Sequence, residues 1–160
     1  MENQKVKKEF RLRISVLDIG FLKNINLKLA AYVNIAIISL VIIVHILIIL
    51  QIIPFNWVSG GRLPTYEAQR QMSIISIIIL LITIPVNLWG AKIILKNKLI
   101  TLRKILLYVL CTYFVISFFM QILGTLFEKF GMSILCFLSA IIYFRLAIEK
   151  RLTNSNAKQV

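Results

Sequence analysis

Residues 29–53 read LAAYVNIAIISLVIIVHILIILQII, a run without a single Asp, Glu, Lys or Arg. About 20 consecutive apolar residues are enough for a helix to cross the hydrocarbon of a bilayer. A run of this length and purity therefore predicts a membrane-spanning helix rather than the core helix of a soluble domain. It is too long for the apolar part of a cleaved leader, and no small-x-small cleavage pattern follows it, so it reads as a retained signal-anchor.

Working outward, three more apolar segments follow, at about residues 72–95, 105–127 and 132–148. The last is short and carries Arg145 near its end. Arg145 is expected to snorkel to the interface, a depth that also suits Tyr143 and Phe144. The whole chain is 59% hydrophobic with mean hydropathy +0.88. A soluble domain runs at roughly 45–50% apolar, and a chain this short could not hide the surplus from water.

Net charge is +13, from 19 Lys+Arg against 6 Asp+Glu. The basic residues flank the apolar segments and form no nucleic-acid-binding motif, so they are assigned to topology and anionic headgroups, not to DNA or RNA. Sixteen of the 19 fall in three places: the arm before the first segment, the loop after the second, and the tail. The remaining three are Arg62, Arg70 and Lys129. The positive-inside rule then puts the arm, middle loop and tail in the cytoplasm, which requires an even number of spans. The expected fold is an all-α integral membrane protein: four transmembrane helices in an antiparallel bundle, with both termini cytoplasmic. Residues 1–28 form a basic arm in which a strand period and a helix face fit equally well, and an interfacial amphipathic helix over part of it, on anionic lipid, is the preferred reading. Residues 151–160 form a polar tail. Residues 128–131 (EKFG) are the expected tight turn between the last two helices, with Gly131 supplying a left-handed backbone. The expected location is the plasma membrane, and the abundance of Ile, Lys and Asn points to a bacterial source.

Between the first two segments lies an outer loop, residues 54–71 (PFNWVSGGRLPTYEAQRQ). Pro54 is read as the end of the first helix. Trp57 is placed for the aromatic belt. Gly60 and Gly61 permit a reversal whose N–H groups could cradle an anion, and Arg62 adds a guanidinium fork suited to phosphate or carboxylate. Thr65 reads as an N-cap, with Glu67 in the first turn after it.

Polar residues inside apolar segments mark the bundle interior. At 100° per residue Asn34 and His45 share one face of the first segment. Ser76, Thr83 and Asn87 share a stripe on the second, and Ser117 and Gln121 cluster on the third. Cys136, Ser139 and Tyr143 do so on the fourth. By helical rise, His45, Ser76 and Gln121 lie at one depth beneath the outer loop, and Asn87 lies deeper; all four are expected to line a cavity. Pro85 frees a helix carbonyl that Thr83 or Asn87 could meet. The two cysteines, Cys111 and Cys136, sit roughly 10 Å apart in depth on the helical rise, beyond disulfide reach, and are expected to be free. No metal-ligand spacing or catalytic set is present, no cofactor is implied, and no acid lies inside the apolar segments as assigned.

The composition thus favours a small polytopic protein without catalytic activity. It would bind membrane lipids or a membrane protein partner, a second copy included, through its outer loop and bundle face in an accessory, immunity or regulatory role. A transporter or channel component using the polar cavity is the alternative, and an enzyme acting on a lipid headgroup ranks below it.

Overall fold

A computed structural model describes residue 22 and residues 24–95 and 99–149. The expected arm, apart from residues 22 and 24–28, falls outside the described residues, as do Lys96, Lys98 and the tail. Among the described residues every regular element is helical. Four helices are long and apolar enough to cross a membrane, with mean hydropathies of 2.7, 2.3, 2.1 and 1.9 in chain order.

The first helix, α1, spans Leu27–Ile49. Asn26 caps it, its side chain accepting from the Lys28 and Leu29 amides at 2.9 and 3.4 Å. That satisfies two of the four amides a helix start leaves without partners. The helix stops at Ile49, before the expected Pro54. The cause is a Schellman reversal: Gln51 takes φ 60°, its amide returns to Ile48 O at 3.0 Å, and the Ile52 amide returns to Leu47 O at 2.9 Å. These bonds close the orphan carbonyls. The Tyr66 hydroxyl donates to Ile49 O and satisfies another.

Helix α2 spans Tyr66–Gly90. Thr65 is its N-cap as expected, accepting from the Ala68 amide at 3.3 Å. The start at Tyr66 turns the end of the expected loop into helix. A second Schellman reversal ends α2, with Lys92 at φ 61° and the Ile93 amide on Leu88 O at 3.0 Å. Pro85 lies inside α2, but neither expected partner meets its freed carbonyl. Thr83 donates to Leu80 O at 2.7 Å and Asn87 donates across to Ala31 O on α1 at 2.9 Å.

Helix α3 spans Ile100–Ile122, and α4 spans Ser133–Ala147 behind one π-helical turn, Glu128–Met132. The reversal between them is therefore residues 123–125, not 128–131. Gly131 has no positive φ. The physical reason is a capping box, Thr125-x-x-Glu128. The Thr125 hydroxyl accepts from the Glu128 amide at 3.4 Å, and Glu128 Oε2 accepts from the Thr125 amide at 3.0 Å. Reciprocal capping starts a helix at once, so the fourth span runs Glu128–Ala147.

This last span is half buried, against 11–28% for the other three. It is the element the others pack around, and its contact with α3 is the most extensive in the molecule. Large apolar side chains such as Ile43, Ile78, Ile82, Val109, Ile116 and Phe119 point outward, as helices solvated by lipid require. The interior is polar in part. Asn34, Asn87, Ser139 and Tyr143 are fully buried. The Tyr143 hydroxyl sits beside Thr83 and Asn34, and its ring stacks on Phe114 with centroids 5.3 Å apart. Both cysteines are free, as expected.

At the end of the bundle formed by Ile25, Lys92 and residues 145–149, the Arg145 guanidinium is held by the fold. Arg145 is 4% exposed. Its Nη1 pairs with Glu149 Oε2 at 2.8 Å and its Nη2 donates to Ile25 O at 3.1 Å. Glu149, one turn on, also meets Lys92 at 3.4 Å. A carboxylate and a carbonyl at hydrogen-bonding distance hold the guanidinium inward.

Candidate functional site

At the opposite end, residues 54–65 cross the bundle and touch the start of the fourth span. The loop is two short 3-10 turns, Phe55–Trp57 and Ser59–Gly61. Gly60 and Gly61 both take positive φ, 67° and 65°, a region where residues with a Cβ are strained. Two contacts pin the loop. The Thr125 hydroxyl donates to Trp57 O, and the Gly60 amide donates to Glu128 Oε2 at 2.9 Å. Trp57 is half exposed, with its ring 6.3 Å from that of Phe127.

The Gly60 contact changes the reading of the Gly-Gly-Arg stretch. The Gly60 and Gly61 amides, expected to cradle an external anion, are both occupied, Gly60 by Glu128 and Gly61 by Val58 O at 3.0 Å, and the Arg62 amide is bonded to Ser59 O at 3.2 Å. The anion at this nest is the chain's own Glu128. Only the Arg62 guanidinium is left to meet an external anion. It is exposed, lies back over Gly60, and has no ion-pair partner among the described residues.

Under the loop is a cavity of about 190 Å³. His45, Ser76 and Gln121 line it together. Asn87 does not join them. It belongs to the separate buried layer with Asn34 and Tyr143, where its amide braces α1. Two residues not assigned to a site by the sequence join instead. Gln69, 2% exposed, lines the cavity because α2 starts early enough to carry it inward. Its stripe continues through Ser73, Ser76 and Leu80, and its Nε2 donates to the Ser73 hydroxyl at 3.2 Å.

The other is Glu128, 8% exposed and on the cavity wall. It overturns the expectation that no acid lies within a span. The signal was present in the sequence: Thr125-x-x-Glu128 before an apolar run is a capping-box pattern. Read that way, the fourth span begins at Glu128. Gly124 allows the fit, since a Cβ there would lie 2.2 Å from Glu128 Oε2.

The cavity lining combines apolar side chains, among them Ile38, Ile48, Leu80 and Phe114, with polar ones. Among the described residues Gln69 Oε1, Gln121 Oε1 and His45 Nδ1 are buried without hydrogen-bond partners. Burying such atoms unpaired costs about 1–3 kcal/mol each, so a site that retains three of them suits an occupant that supplies donors. Ser76 contributes less, because its hydroxyl is turned back to Met72 O at 2.9 Å. No group of three or more His, Cys, Asp or Glu that could hold a metal occurs among the described residues.

Comparison of the chain with protein-family models, curated proteins and solved structures finds no match.

Proposed function

We propose that this chain is a non-catalytic binding protein of the bacterial plasma membrane. Its four spans form an antiparallel bundle with both termini in the cytoplasm, and the loop over residues 54–65 faces outward as the lid of a polar cavity. Its task is to capture the polar group of a membrane-embedded molecule, a lipid or a partner's side chain. Arg62 meets an anionic group at the rim and the cavity takes what lies beyond it.

The observation that carries this reading is the set of unpaired buried acceptors Gln69 Oε1, Gln121 Oε1 and His45 Nδ1 in one cavity. Polar side chains that only hold helices together in lipid bond across to one another, whereas these three atoms have no such partner. Native mass spectrometry of gently extracted protein tests it. The expected result is a co-purifying species that disappears when Ser76→Phe fills the cavity while helical circular dichroism is retained. A bare wild-type chain, or the same species on the variant, would sink the reading.

A second reading, transport, draws on the buried polar side chains that continue from the cavity, where Ser139 in the wall and Asn34, Asn87 and Tyr143 beyond it leave side-chain atoms unpaired. Such side chains could pass a polar solute if α4 moved. Flux through liposomes containing the purified protein is its test, and loss of that flux in Tyr143→Phe is the expected signature.

A further inference from the structure

The hydrogen bonds to Glu128 are unevenly distributed. The Gly60 and Thr125 amides both donate to Oε2, at 2.9 and 3.0 Å; the Thr125 hydroxyl lies 3.3 Å from the same oxygen but directs its proton to Trp57 O. Oε1 has no donor among the described residues, and no Lys, Arg or His there forms an ion pair with the carboxylate. Arg62, which folds over Gly60, is the nearest basic side chain on the loop and stays outside at the surface. A carboxylate at the head of a membrane span is costly without a positive partner.

The same cavity presents three further unpaired atoms able to accept, Gln69 Oε1, Gln121 Oε1 and His45 Nδ1. The aromatic residues Tyr113 and Phe114 lie in its wall, and an aromatic face attracts a cation. One negative charge, several acceptors and aromatic rings, beside the unpaired Ser139 hydroxyl, which can accept as well as donate, describe the complement of a small cation rich in N–H.

We propose that the cavity binds a primary ammonium group, with Glu128 Oε1 as counter-ion and Gln69, Gln121 and His45 as acceptors. An ammonium carries three donors and no acceptor, which matches what the wall lacks. The inference rests on the cavity being a binding site at all, and it specifies the occupant's chemistry. That ammonium has two sources. On a lipid headgroup it enters with a phosphate attached, and Arg62 at the rim meets the phosphate. On a soluble amine Arg62 has no role.

The test is native mass spectrometry from detergent micelles doped with equal amounts of dioleoyl phosphatidylethanolamine and dioleoyl phosphatidylglycerol, and separately with n-butylammonium chloride. For a lipid source, phosphatidylethanolamine is retained over phosphatidylglycerol by roughly tenfold, the scale of one charge-assisted contact. Arg62→Ala then weakens retention. For a soluble source, n-butylammonium is retained and Arg62→Ala changes nothing. In either case Glu128→Gln, which can still accept from Gly60 and Thr125, removes the preference. Gln69→Met lowers retention several-fold and decides the matter if Glu128→Gln fails to fold.

Equal retention of both lipids with no amine bound overturns the ammonium assignment. So does a preference that survives both variants. A species that nevertheless leaves on Ser76→Phe would keep the cavity as a binding site for another chemistry, so the two failures are told apart.

Discussion

The bundle holds one buried or half-buried carboxylate at each end, and the two are treated differently. Glu149 is closed on itself: Arg145 on one oxygen, Lys92 on the other, with Arg145 also tied to the chain ahead of α1. Glu128 has two amide donors on one oxygen, no cation paired with it among the described residues, and a cavity beside it. The first arrangement is a latch, in which each charge has a partner of opposite sign, although Arg145 Nε stays buried without a hydrogen bond. The second holds a helix start and a loop in place while leaving a charge unsatisfied. Satisfied ionic clusters hold a fold together; unsatisfied ones are where an outside molecule has something to gain.

The largest expected effect breaks the latch. Arg145→Ala strands Glu149 beside a half-exposed Lys92 and leaves the Ile25 carbonyl unpaired. A loss of about 3 kcal/mol is expected, at the low end for breaking a buried pair, read by denaturant titration in micelles. A loss under about 1 kcal/mol would mean the latch is no stronger than a surface pair.

Next in size is the lid. Gly124→Ala places a Cβ where Glu128 Oε2 now sits, and overpacking of this kind costs about 2 kcal/mol. Displacing Glu128 also frees the Gly60 amide, so faster proteolysis within residues 54–65 should accompany it. Gly131 has open space around it, so Gly131→Ala should be neutral or stabilise by up to about 1 kcal/mol. Equal losses at both glycines would remove the special role given to Gly124.

A smaller effect separates the two ends by pH. Burial alone would raise the Glu149 carboxyl, but the hydrogen bond from Arg145 and the charges of Lys92 and Arg145 outweigh it and hold the group below its ordinary range. A depressed folded-state value means the unfolded chain takes up the proton first as pH falls. The latch contribution is therefore complete above the unfolded value of about 4.3 and is lost as pH drops through the folded one. Thermal scans from pH 6 to pH 3, a range set to bracket that value, should show wild type losing more stability than Glu149→Gln. Parallel curves would contradict the latch.

The smallest effect is a control on the loop side. Arg70 and Glu67 pair at 3.6 Å on the exposed first turn of α2. Arg70→Ala should change stability by less than about 0.5 kcal/mol, and a larger change in the same micelle titration would show that the turn's exposed face is covered.

Much of this was readable without coordinates. Four long apolar runs require four helices, because a lipid-facing backbone must satisfy itself. Thr65 was legible as a cap from its hydroxyl ahead of Glu67, and the 100° rotation per residue was enough to gather His45, Ser76 and Gln121. The boundaries were less legible. Both Schellman reversals use Gln51 and Lys92 in the left-handed region, where glycine is the usual marker, so neither helix end had its ordinary sign. Glu128 carried a readable capping-box pattern, yet its charge beside Lys129 made a turn the simpler assignment.

By itself the sequence determined the class of object and the axial position of each polar group, because hydropathy and helical rise act along one chain. Only the tertiary structure decided which of those groups found partners. Asn87 and Gln121 look alike in sequence, each an amide on an inward stripe. Both leave a buried oxygen unpaired, but Asn87 spends its N–H on the Ala31 backbone away from the cavity, whereas Gln121 lines the cavity. Likewise Arg145 and Arg62 are both arginines near a span's end, one paired within the fold and one left at the rim. Partnering depends on what the adjacent helix places opposite, and that is set by packing between segments far apart in the chain.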